Sequence, residues 1–154
     1  MCIRDRNVSA LLGKWRSQNK RIVFTNGCFD LLHPGHIQLL EFAKAQGDIL
    51  IVGLNSDASV KRLKGSNRPL NSERDRAALL RALRCVDLVM TFAQDTPLEL
   101  IRELHPNVLV KGADYLNQEI VGQAEVESWG GEVKLCPLVD GYSTSIKAAE
   151  LANR

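Results

Sequence analysis

The stretch Ile49-Leu-Ile-Val-Gly-Leu54 contains no polar side chain. A strand of that composition needs apolar cover on both faces, which parallel sheets flanked by helices provide. The rest of the chain alternates in the same sense. Ile22-Val-Phe24 reads as a short buried strand. Pro34 to Gln46 reads as a helix, with His33 at its cap, Pro34 at the first helical position and Gly47 at the exit. Residues 72–84 read as a second helix: Ser72 and Asp75 have capping-box spacing, and Leu79, Leu80 and Leu83 form an apolar stripe. Val86 to Met90 is a third strand. Thr96-Pro-Leu-Glu99 is a cap signature for a helix carrying Leu100, Ile101 and Leu104, which His105-Pro106 ends. Val108-Leu-Val110 and Val133 to Cys136 read as strands. Gln118 to Trp129, closed by Gly130-Gly131, and Thr144 to Ala152 read as helices. This alternation predicts an α/β fold of Rossmann-like type, a five-stranded parallel sheet with helices on both faces. Residues 20–154 form one domain. Residues 1–19 are an N-terminal extension in which Val8 to Arg16 has the pattern of an amphipathic helix, and residues 1–7 fit no period.

Sheets of this kind bind ligands beyond the carboxyl ends of their strands. The unusual polar residues fall there. Asn26 to His36 follow the first strand, Asn55 and Asp57 the second, Lys111 to Tyr115 the fourth, and Asp140 to Ser145 the fifth.

Composition narrows the classes of function. The chain has 154 residues, enough for one core, and a net charge of +2, too small to suggest nucleic-acid binding. No apolar run reaches the length of a membrane span, and no signal peptide is visible. The four cysteines are dispersed without a C-x-x-C pair, which suits a reducing cytoplasm better than a disulfide or zinc framework.

Two of the three histidines lie in His33-Pro-Gly-His36. At a helix start both rings can reach one small volume, where the dipole and unpaired N–H groups favour phosphate and Gly35 admits it close to the backbone. Nucleotidyl transfer asks for such positioning and donors rather than for covalent work. Alone, H-x-x-H also fits a surface pair or two ligands of a metal site.

The segment Asn26-Gly-Cys-Phe-Asp-Leu-Leu-His-Pro-Gly-His36 resembles the signature of the cytidylyltransferase-like nucleotidyltransferase superfamily, and Gly141-Tyr-Ser-Thr144 resembles its second motif. The resemblance runs from about Lys20 to the C-terminus. Thr25 to Asp30, Gly53 to Asp57, Arg68 to Asn71, Arg84 to Asp87, Asp95 to Glu99, Val110 to Tyr115 and Gly141 to Thr144 are together similar to the D-glycero-β-D-manno-heptose 1-phosphate adenylyltransferases. That family joins AMP from ATP to the sugar phosphate and releases pyrophosphate. Its product feeds bacterial surface polysaccharide such as lipopolysaccharide inner core.

The resemblance implies ATP as nucleotide substrate, with Mg2+, and roles for particular residues. His33, His36 and Lys64 would be catalytic, with Lys64 in a loop spanning Lys61 to Arg68. Gly27, Cys28, Phe29, Gly35, Arg76, Lys111, Gly112, Tyr142, Ser143 and Thr144 would bind the nucleotide. Asp30, Asn55, Asp57 and Asp114 would bind the second substrate, and no residue is assigned to a metal. It further implies a stand-alone form served by a separate heptose kinase, and a homo-oligomer. Nucleic acid and membrane are not expected partners.

Each assignment has a plainer counterpart. Asp30 can cap a turn. Lys61, Arg62 and Lys64 can be a solvated face, and Arg76 an exposed helix residue in a weak ion pair. Ser143 and Thr144 can be an N-cap. Cys28, Cys85 and Cys136 read as small buried hydrophobes, Trp15 and Trp129 as packing residues, and His105 as a cap or surface residue. Leu138-Val-Asp140 lacks the arginine that glycerol- and choline-type cytidylyltransferases carry before this motif. That leaves CTP with glycerol 3-phosphate as a disfavoured alternative. A nucleotide-binding module without turnover is a further one.

Overall fold

The computed structural model describes residues 5–137. Five strands, β1 (Ile22–Gly27), β2 (Ile49–Asn55), β3 (Leu88–Phe92), β4 (Val108–Gly112) and β5 (Glu132–Cys136), form one sheet in the order β3-β2-β1-β4-β5. Every pairing is parallel. The expected architecture is therefore observed.

Alternate residues of each strand serve opposite faces, so the sheet has two cores. Ile22, Phe24, Ile51 and Leu109 meet α1 (Asp5–Ser17), α5 (Leu98–Leu104) and α6 (Gln123–Ser128), through Val8, Leu12, Leu100, Ile101, Leu104 and Val126. Val23, Leu50, Val52 and Val110 meet α2 (Pro34–Lys44) and α4 (Glu73–Arg81), through Leu40, Ala43, Ala77 and Leu80. The N-terminal helix is thus part of the first core. Arg16 also donates from Nη2 to the Leu104 carbonyl at 2.7 Å.

Several element boundaries differ from the sequence reading. The Lys61–Arg68 stretch is not all loop: α3 (Asp57–Lys64) covers its first half, capped by Ser56, whose hydroxyl accepts from the Ser59 N–H at 3.2 Å. Gly65 leaves it at φ 101°, a left-handed value that suits glycine. The α4 stripe is also shifted. Arg76, Ala77 and Leu80 face inward while Leu79 is exposed. Helix α5 begins after Pro97, not at a Thr96 cap. Helix α6 starts only at Gln123, because Gly122 before it sits at φ 87°. A 3-10 turn, Ala113–Tyr115, precedes it. Strand β3 starts at Leu88, two residues later than expected. The helix expected at 144–152 lies outside the described residues.

The packing readings of Trp15 and Trp129 are observed, and so is the cap reading of His105. Trp15 and Trp129 pack on the first core, Trp129 Nε1 donates to the Pro106 carbonyl at 2.9 Å, and His105 closes α5 with its ring stacked on Trp129. At Gly53, in the second strand, a Cβ would stand 2.7 Å from the ring of fully buried Phe24. Gly53→Ala is therefore expected to cost about 1–3 kcal/mol, read as a lower denaturation midpoint at unchanged slope.

Candidate active site

The strand order reverses between β1 and β4, which is where such sheets open a ligand crevice. The β1–β4 ladder pairs only Val23 with Val108 and Phe24 with Leu109. Beyond it, side chains bridge the two strands. Thr25 donates its hydroxyl to the Val110 carbonyl at 2.9 Å, and Lys111 Nζ donates to Asn26 Oδ1.

Two adjoining hollows open above this gap. An inner one of about 180 Å³ is lined by Thr25, Asn26, Gly27, Cys28, Phe29, His36, Leu39, Lys64, Lys111, Gly112, Asp114 and Tyr115. An outer one of about 360 Å³ shares six of these and extends to Asn55, Asp95, Thr96, Pro97 and Glu119. Together they fall in the size range of small-molecule sites.

The first wall is the turn after β1. Phe29 holds a left-handed backbone, φ 44°, at a cost of order 1 kcal/mol. That conformation folds its buried ring back over Gly27, where a Cβ would lie 3.0 Å from the ring. His36, in the first turn of α2, packs at 5.2 Å from the Phe29 ring centroid. Its Nδ1 accepts from the His33 N–H at 3.4 Å. The His33 ring stacks on it at 3.8 Å and is itself almost buried, lying along Leu32, Pro34 and Ile37 rather than in the cleft lining. Burial first, then the charges of His33 and Lys64, lower the His36 pKa to about 4. A backbone hydrogen bond at Leu31 acts against the shift but does not reverse it, so at neutral pH His36 is a neutral imidazole. Positive charge comes from the lysines instead.

Lys64, the last residue of α3, lines both hollows, and its charge is felt at Cys28 and His36. Lys111 rises from the end of β4 with its ammonium 5.4 Å from the Tyr115 ring centroid, a cation–π distance. Burial lowers its pKa to about 8, against a raising effect of Asp114. At neutral pH it is therefore charged, largely desolvated, and aimed at the crevice. The Cys28 thiol is pushed up by burial, which leaves it no thiolate character for nucleophilic attack.

The sequence candidates separate into two groups. Gly27, Cys28, Phe29, His36, Lys64, Lys111, Gly112, Asp114 and Asn55 line the cleft. Gly35 lies in the first turn of α2. Asp30, Asp57 and Arg76 instead form a scaffold beside it. Asp30 is buried and accepts from Arg68 Nε at 2.8 Å and from the backbone N–H groups of Leu70 and Asn71 at 2.8–2.9 Å. Burial acts to raise its pKa, but these donors prevail and hold the carboxyl below its ordinary value. Arg76 is fully buried, not an exposed helix residue. It donates to the carbonyls of Asn71, Cys28 and Asn55 at 3.0, 2.7 and 2.8 Å, and to Asp57 Oδ1 at 2.8 Å. Asp57 also accepts from the Glu73 N–H at 2.8 Å. Sequence reasoning missed Asn26, the partner of Lys111, although it lies within the quoted motif. Tyr142, Ser143 and Thr144 lie outside the described residues. Among the described residues, no three His, Cys, Asp or Glu side chains converge to hold a metal ion, and no helix is long and apolar enough to cross a membrane.

The family model described as cytidylyltransferase-like matches residues 24–149. The chain belongs to the cytidylyltransferase-like family. Its curated relatives include the bifunctional protein HldE of Acidiphilium cryptum, 56% identical over 90% of this chain and 28% of the relative. The bifunctional protein HldE of Syntrophotalea carbinolica is 58% identical over 84% of this chain and 26% of its own length. The chain thus spans under a third of these relatives. Among solved structures, the lipopolysaccharide core biosynthesis protein from Thermoplasma volcanium is 28% identical, with TM-score 0.63, covering 80% of this chain and 99% of that one. Pantoate-beta-alanine ligase from Francisella tularensis, solved with an ATP analogue and beta-alanine, superposes with TM-score 0.62 over 95% of this chain and 74% of that one. At 18% identity it speaks for the fold alone. In this cytidylyltransferase-like chain the family match spans both the cleft residues and the segment carrying Tyr142 to Thr144.

Proposed function

We propose that this chain transfers AMP from ATP to a heptose 1-phosphate, giving an ADP-heptose and pyrophosphate. The observation that carries the reading is the convergence of Lys64, Lys111 and His36, the last from the first turn of α2, on one crevice at the strand switch point. The relatives named HldE and the neighbour named for lipopolysaccharide core biosynthesis support the sugar branch.

The chemistry is a direct displacement. An oxygen of the sugar phosphate attacks the α-phosphorus of ATP, and the bond from that phosphorus to the oxygen bridging to the β-phosphate breaks. Pyrophosphate carries that electron pair away, and no covalent enzyme intermediate forms. Lys64 and Lys111 offset the charge on the phosphate oxygens, and the His36 N–H donates to the departing side. His33 holds the His36 ring by stacking and through its backbone N–H. The family motif adds Ser143, Thr144 and Tyr142 as phosphate holders. Magnesium accompanying ATP would offset part of the charge on its phosphates. Asp30, Asp57 and Arg76 serve as positioning residues. We assign the reaction to the cytoplasm on the dispersed cysteines. The acceptor must come from a sugar kinase reaction, fused or separate. The HldE relatives are bifunctional, and most of their length lies outside the match.

The test is pyrophosphate release with ATP or CTP, each paired with heptose 1-phosphate or glycerol 3-phosphate. The reading predicts release with ATP and the heptose only. Release only with CTP would overturn it. A pH profile adds to this. Lys111 loses its charge above about pH 8, so kcat/KM for ATP is expected to fall as pH rises through that value, since kcat/KM reports the free enzyme. Lys111→Arg should remove that limb. The stability sign is opposite. Folding depresses this pKa from 10.5, so the fold bears the burial cost below about pH 8 and is relieved of it toward 10.5.

A further inference from the structure

The two hollows differ in chemistry. The inner one holds His36, from the first turn of α2, a donor suited to a phosphate. The outer one replaces it with Asn55, Asp95, Thr96 and Glu119, set between the apolar Leu63, Pro97 and Val121. Carboxylates repel phosphate but accept hydrogen bonds from hydroxyl groups. Lys64 and Lys111 belong to both hollows.

In-line displacement sets the attacking and leaving oxygens on opposite sides of the α-phosphorus. With the leaving pyrophosphate toward α2 and the α-phosphate between the two shared lysines, the attacking phosphate must arrive from the outer hollow. Its sugar then occupies that hollow. Resting on the nucleotidyl-transfer reading above, we infer that the outer hollow is the sugar subsite and that Thr96 and Glu119 determine acceptor specificity by hydrogen bonding to sugar hydroxyls.

The two residues come from different segments of the chain. Thr96 belongs to the loop between β3 and α5, and Glu119 to the segment between the 3-10 turn and α6. Two other polar groups of the hollow already have partners. Asp95 accepts from Arg62 Nε at 2.8 Å, and the Asn55 amide donates to the Ser59 hydroxyl at 3.0 Å. These fix the wall, while Thr96 and Glu119, both exposed, face the ligand's variable part. A polyhydroxylated sugar 1-phosphate would use both residues.

The test is steady-state kinetics of the whole chain with ATP and heptose 1-phosphate, comparing wild type with Thr96→Val and Glu119→Ala. Losing one hydrogen bond to a polar or charged group is expected to raise the KM for the heptose 1-phosphate about tenfold in each variant. The KM for ATP should stay within about twofold of wild type. An unchanged heptose KM would overturn the inference. So would an ATP KM that rises in parallel, which would make the outer hollow a nucleotide site. Wild type inactive on heptose 1-phosphate would remove the nucleotidyl-transfer reading and this inference with it. Active wild type with silent variants would remove the inference alone. Both positions are exposed, and circular dichroism of the variants verifies the fold.

Discussion

Arg76→Met is expected to lower the unfolding free energy by about 3–5 kcal/mol, the cost of breaking a buried charged network on one side. Methionine keeps the apolar stem but none of the four hydrogen bonds. The carbonyls of Cys28, Asn55 and Asn71 would each lose a charged donor, the Asn55 bond being fully buried and the other two partly so, and each orphaned buried group costs about 1–3 kcal/mol. The Asp57 ion pair contributes less, because that carboxylate is 42% exposed and solvent screens it. The carbonyls therefore carry most of the effect. Out of a typical stability of about 5–15 kcal/mol the loss is large. Urea denaturation followed by circular dichroism checks it. Arg76→Lys, which restores charge and some donors, should fall between. A loss under about 1 kcal/mol in Arg76→Met would show that these bonds do not support the fold.

The second large effect is on turnover. His36→Ala is expected to cut kcat/KM for ATP by about 10²–10³, the range for removing one preorganised donor to a developing negative charge. The native fold should survive, since His36 is only partly buried and its ring packs on Phe29 and His33 without being part of either core cluster. Because the His36 imidazole is neutral at neutral pH, a neutral donor should rescue part of the loss. His36→Gln should recover activity above the alanine level. Equal losses in both variants would mean that the charge of an imidazolium, acquired only when the triphosphate arrives, is what matters.

The sheet was legible in the sequence because parallel strands covered on both faces cannot avoid being apolar. Ile49 to Leu54 and Val108 to Val110 carry that signal without help from neighbours. The turn after β1 was legible for a related reason: glycine, a capping position and a proline at N1 are local requirements of a helix start. What stayed hidden depends on partners distant in the chain. Arg74, Arg76 and Arg81 look alike locally, and only the 28–29 turn and the β2 end, packed over α4, decide that Arg76 is the buried one. Asp30 takes its meaning from backbone N–H groups forty residues away. Helix α3 was hidden because charge dominates it. Ser59 and Val60 are its buried residues, and Ser56 caps it. Gly122 marked a helix start where glycine inside a helical pattern reads as a tolerated defect.

The central claim is attack at the α-phosphorus of ATP, and label tracing tests it most directly. The chain is incubated with heptose 1-phosphate and ATP labelled at either the α- or the γ-phosphate, and the products are separated. The account predicts the α-label in a sugar nucleotide and the γ-label in pyrophosphate. Gamma label on the sugar, with ADP as the other product, would mean phosphoryl rather than nucleotidyl transfer and would contradict it.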